Sequence, residues 1–222
     1  MSQYDFDGSQ EGDWDENENV AWNESDWQEY LRKSDKEISR FISAYNKSRN
    51  EPDRLEATAK LMDWGKDEWS CIDDFDLDEE QLREIRPVPL EDLQKMDPYT
   101  VHKHPLYIAS CGFFSFLRSS WEHMMRHNRK QPKPELSWSY CASLADSERH
   151  FILAANCLDL GDYLLTICHL KRAHAALNES MRLNRLFSHH SEKIFTEYLI
   201  ESDIRMHDLR EICLRVLHDC RR

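Results

Sequence analysis

His123 and His127 stand one helical turn apart, a spacing that puts both imidazoles on one face and could chelate a divalent cation. Zinc held that way needs at least a third ligand, and no His-Glu-x-x-His arrangement accompanies the pair. His150, Cys157, Cys168, His169 and His174 could donate from neighbouring segments, but none stands at a fixed zinc spacing. A di-iron centre in a helical bundle needs Glu-x-x-His on two helices. Three residues beyond each glutamate of the second half stands Met125, Trp138, Phe151, Arg182, Phe195, Ile200, Ile204 or Leu214, never a histidine. The acidic run Asp73–Glu80 lacks the Gly at position six and the Glu at position twelve of a Ca²⁺ loop, and it reads instead as a solvated helix start at Asp78. Phosphate-cradling and dinucleotide-binding glycine loops and the Gly-x-Ser-x-Gly elbow are absent. The metal candidates are thus His123 and His127, and the reading calls for no cofactor.

A second constellation is Arg118-Ser-Ser-Trp-Glu-His123, an arginine and a histidine separated by four residues. With the Gly161-Asp-Tyr helix start that follows, it resembles the HEPN superfamily of helical proteins, whose ribonuclease members carry Arg-x(4 to 6)-His. The resemblance covers about 80 residues. It implies a catalytic pair, Arg118 stabilising phosphate charge and His123 moving the proton of an attacking 2'-hydroxyl. In that family the motif stands late in the bundle and a polar Asn, Asp or His follows the arginine; here it falls in the first bundle helix and Ser119 follows. Arg185 and His190 repeat the spacing. A five-residue step also turns an ideal helix by about 140°, whereas Arg118 and Glu122 are neighbours, so the residues by themselves predict a surface ion pair for Arg118.

The elements that would position these side chains are all helical. Ser25 and Gln28 fit a capping box, and Trp27, Tyr30, Leu31, Ile38, Phe41, Ile42 and Tyr45 mark a helix to about Ser48. Asn50 and Pro52 open a second through Leu55, Ala59, Leu61 and Met62, closed near Gly65. Four prolines punctuate residues 86–105, around a short helix at Leu90–Met96. Four long helices follow: one from Pro105 carrying Phe113, Leu117 and Met124; one from Leu136 to Gly161; one from Asp162 to Leu186; and one from Ile194 through Leu217. Short joins and no strand-like alternation predict an all-α chain ending in an antiparallel four-helix bundle. The expected divisions are an acidic tail over 1–24, an acidic helical region over 25–86, a Pro-punctuated linker over 87–104 and the bundle over 105–222. One tetratricopeptide-like stretch, Gly161–Leu177, has no second copy.

Charge divides the chain the same way. Its 222 residues carry a net −13, yet residues 1–97 hold −16 and residues 98–222 hold +3. Residues 1–28 contain nine acids and neither Lys nor Arg, with Tyr4, Phe6, Trp14 and Trp22 interleaved. Such a segment repels nucleic acid and suits either a solubilising tail or one whose aromatics dock on a basic, apolar groove of a partner or of the protein's own bundle. Arg205, Arg210, Arg215 and Arg221 of the last helix offer it positive charge. The weak positive balance of the bundle argues little for nucleic acid there. No long apolar run or signal-like start is present, and seven cysteines without a Cys-x-x-Cys pair read as reduced and mostly buried. The sum is a cytoplasmic, non-enzymatic helical interaction module that binds another protein or itself, as a homodimer for instance, without contacting a membrane.

Overall fold

The computed structural model describes residues 22–65, 101–127, 132–187 and 193–221. Most of the expected tail, the run Asp73–Glu80, the expected helix Leu90–Met96, Cys71 and His190 lie outside the described residues. Six α-helices form: α1 (Glu24–Lys47), α2 (Arg54–Met62), α3 (Pro105–His127), α4 (Pro134–Asp159), α5 (Tyr163–Leu186) and α6 (Lys193–Asp219). Among the described residues there is no strand, and no helix is long and apolar enough to cross a membrane.

Helices α3 to α6 pack in sequence order, α3 on α4, α4 on α5, α5 on α6 and α6 back on α3, as the antiparallel bundle expected from the joins. Their buried stripes meet in one apolar cluster around Phe113, Leu117, Phe151, Leu170, Leu177 and Leu209. At one end Trp121 packs on Tyr140, Phe187 and Tyr198, and the buried Tyr140 and Tyr198 hydroxyls hydrogen-bond at 2.8 Å. Aromatic side chains that large would strand their polar atoms in a dry core without such a pair. The α4–α5 seam uses small residues instead. Ser143 meets Ser180 at 2.8 Å and the Ser147 hydroxyl donates to the Ala173 carbonyl at 3.1 Å, so these two backbones lie close together.

Helix α1 packs onto the outside of α3 and α2 onto α1; both join the same apolar cluster through Phe41, Tyr45, Leu55, Ala59 and Met62 and reach α6 through polar side chains. Gly112 makes the α1–α3 contact possible, because a Cβ there would lie 2.7 Å from the Phe41 ring. Residues 101–104 of the expected linker form a short 3₁₀ turn, Val101–Lys103, that touches α1, α3 and α4.

The first helix ends with Ser48 as its C-cap, as expected, but its start and the end of the second differ from the sequence expectation. α1 is capped by Asn23, whose side chain accepts from Ser25 N at 2.8 Å and Asp26 N at 3.1 Å while Asp26 returns a bond to Asn23 N. This reciprocal pair satisfies more backbone donors than Ser25 with Gln28 would, and Gln28 instead bonds Glu24. α2 ends on Asp63 in the left-handed region, φ 62°, rather than at Gly65. Arg40 holds that carboxylate at 2.6 Å, compensating a conformation a non-glycine residue adopts at some cost.

Candidate functional site

Arg118 and His123 leave α3 on different flanks. The Arg118 guanidinium pairs with Glu148 of α4, and Glu122, its expected neighbour, pairs with Arg126 at 3.3 Å. His123 lines an open cleft of about 460 Å³ between α3 and α6, together with Phe116, Ser120, Glu197, Tyr198 and Glu201. The five-residue step therefore separates the two side chains as helix geometry requires. His123 and His127 do lie together, ring centroids 4.2 Å apart, with His127 Nδ1 bonded to the His123 carbonyl at 2.8 Å. Among the described residues no group of three or more His, Cys, Asp or Glu side chains is arranged to hold a metal ion.

His102, His104, His150 and His169 are drawn into the packing, whereas His207 and His218 are exposed. His150 and His169 share an Nδ1–Nδ1 contact of 3.0 Å across the α4–α5 seam, so one ring donates and the other accepts. His102 Nδ1 meets the Tyr30 hydroxyl at 2.9 Å. His104 is buried, its Nδ1 accepts the Leu106 N–H at 3.0 Å, and burial pushes its pKa down to about 4. The proton of this neutral ring sits on Nε2, which is buried and has no hydrogen-bond partner among the described residues.

The densest polar network ties α1 and α2 to α6. Asp208 accepts from the Tyr45 hydroxyl and from Arg54 Nε at 3.0 Å. Arg205 lies 3.6 Å over the Phe116 ring and binds Asn46 at 3.1 Å and Glu201 at 2.5 Å. Arg215 reaches Glu56 at 2.5 Å and Glu211 at 2.7 Å. Burial raises the pKa values of both Tyr45 and Asp208, which keeps the phenol protonated as donor to the carboxylate. Of the arginines of α6, Arg215 meets an acidic residue of the first half, Glu56 of α2, whereas Arg205 meets the amide oxygen of Asn46 in α1. Each group is already satisfied by protein, so this network fastens helices together and leaves nothing aimed at a ligand.

The opposite side of the bundle is bare. At the α4–α5 turn, where Gly161 takes φ +73°, Leu160 is 81% exposed and Leu164 79% exposed, with Tyr163 and Leu165 also in solvent. Asp162 caps α5 by accepting from Leu165 N at 2.9 Å, which holds the exposed side chains on an ordered helix start. Tyr163 and Leu186, apolar residues at the two ends of α5, are both exposed. The available signal was the consecutive run Tyr163-Leu164-Leu165, because one helix stripe cannot bury three successive residues. The cysteines show a similar departure: Cys157 and Cys213 are buried, but Cys141 and Cys168 are exposed, and all six described cysteines are free thiols. No family model, curated protein or solved structure matches this chain.

Proposed function

We propose that the chain works by binding polypeptide, as a non-enzymatic helical interaction module whose docking surface is the α4–α5 corner. The observation that carries this reading is the exposure of Leu160, Tyr163, Leu164 and Leu165 together around one capped turn. Scattered exposed leucines are ordinary on a protein surface, but adjacent ones on a fixed turn favour an apolar partner. The reading suits a cytoplasmic protein that meets another protein or a second copy of itself. It assigns Arg118 to its ion pair with Glu148 and asks no cofactor of His123 and His127.

The test compares the full chain with its Leu164→Glu variant in cross-linking with mass spectrometry and in light scattering. Cross-links or self-association should map to residues 160–165 and disappear in the variant, while thermal unfolding changes little. A monomer with no contact sensitive to Leu164→Glu overturns the reading. So does cleavage of RNA by the purified chain that Arg118→Ala and His123→Ala both abolish, since that outcome belongs to a ribonuclease.

A further inference from the structure

The charge that the N-terminal segment should meet is not on α6. Arg205 and Arg215 of α6 are already committed to Glu201, Glu211 and Glu56. Helix α5 carries Lys171, Arg172, Arg182 and Arg185 against Glu179 alone, a net of +3. Leu164, Cys168, Lys171, Ala175 and Arg182 follow one another at helical spacings, and all are exposed, so an apolar start grades into a basic stripe on one outer face. Among the described residues neither Lys171 nor Arg172 joins an ion pair.

Residues 1–21 have the complementary chemistry, seven acids and no Lys or Arg, with Tyr4, Phe6 and Trp14 between them. Their point of attachment is at the same end of the bundle. Trp22 packs against Trp27 at 5.1 Å and Tyr30 at 5.6 Å, and Tyr30 binds His102. The charge of Asp159, the last residue of α4, acts on both His102 and His104. The segment therefore leaves the described chain close to the α4–α5 turn. Fifteen residues in extended form span about 50 Å, against roughly 27 Å for the stripe from Leu164 to Arg182.

We propose that the resting occupant of the corner is the chain's own acidic, aromatic segment, residues 4–18. It lies in cis along the outer face of α5, so a partner must displace it to bind. Aromatic side chains would cover Leu164 and Leu165 while the carboxylates meet Lys171 and Arg172. The proposal rests on the α4–α5 corner being a binding surface, and it assigns that surface a self-covering regulator.

Cys168 lies in the middle of the stripe and serves as a reporter, with exposed Cys141 near the far end of α4 as the internal reference. The full chain and a full-length variant with Tyr4→Ala, Phe6→Ala and Trp14→Ala are alkylated with N-ethylmaleimide, and each peptide is followed by mass spectrometry. Cys168 should react about fivefold more slowly in the unaltered chain, the protection given by a contact formed about four-fifths of the time. That protection should fade at about 0.5 M salt and survive about tenfold dilution. Equal Cys168 rates in the two proteins overturn the proposal, as does an equal change at Cys141. Protection lost on dilution also overturns it, by making the occupant a second copy. If Cys168 is indifferent while Leu164→Glu still abolishes association, the regulator falls and the binding corner stands.

Discussion

The two sides of the bundle are finished in opposite ways. Where α1 and α2 meet α6, a polar network is matched: Tyr45 with Asp208, Arg54 with Asp208, Arg205 with Asn46 and Glu201, Arg215 with Glu56. Phe41 fills the space that Gly112 leaves open. Around the α4–α5 turn, by contrast, Leu160, Leu164 and Leu165 are exposed on a capped, ordered helix start. Unmatched apolar surface costs free energy that the α3–α6 side avoids, which is why the difference points to association at the corner and to structure on the other side.

Breaking the sealed side should have the largest effects. Phe41→Ala removes a ring 1% exposed that stacks on Trp64 and meets Phe113 and Tyr45, and it should lower unfolding free energy by about 3–5 kcal/mol in urea titration. Asp208→Ala strands the Tyr45 hydroxyl and removes the partner of Arg54; a loss of about 2–3 kcal/mol is expected by the same measurement. Asp208→Asn should recover part of it by restoring an acceptor for the Tyr45 hydroxyl.

Acid supplies a third break. The His104 pKa falls to about 4 on burial, below the ordinary 6.5, so the unfolded chain binds its proton more readily than the folded one. Stability from this group is complete above pH 6.5 and is lost as pH falls toward 4, by about 2 kcal/mol at pH 5. Burial shifts His102, His150 and His174 in the same direction. Thermal unfolding measured from pH 8 to pH 5 should show the decline, and His104→Gln should flatten it.

The smallest effect belongs to the open side, and it sharpens the contrast. Leu164→Glu should change unfolding free energy by no more than about 1 kcal/mol, because its side chain is 79% exposed on the described helices and a cover formed about four-fifths of the time is worth no more than that. A loss comparable with that of Phe41→Ala would mean that the corner is part of the fold's support and not a docking surface.

How much of this could be read from residues alone depended on how local the cause was. Pro105, Asp162 and the repeating apolar positions Leu106, Phe113 and Leu117 act within a turn or two, and they placed α3 and α5 closely. The start of α1 was missed by a short step because Asn23 and Ser25 are both good caps, and only the return bond from Asp26 decides between them. The partner of Arg118 was missed for a different reason. Helical spacing offered Glu122, but Glu148 comes from α4, and no local rule orders two helices in space. The exposed corner has the same origin: which stripe of α5 faces inward is settled by α4 and α6 together.

The Tyr45–Asp208 bond spans 163 positions of the chain. During synthesis at about 5–20 residues per second, α1 waits roughly 8–30 s after its own emergence before the carboxylate that fastens it is made. Helices α3 to α5 can close on near neighbours in that interval and α1 can settle on α3 through Phe41 and Gly112, but its bond to α6 forms only when α6 arrives. The five acids and five bases of α1 keep its outer face in water during that wait, and a premature stop before residue 208 would release a polypeptide whose first helix lacks its bond to α6.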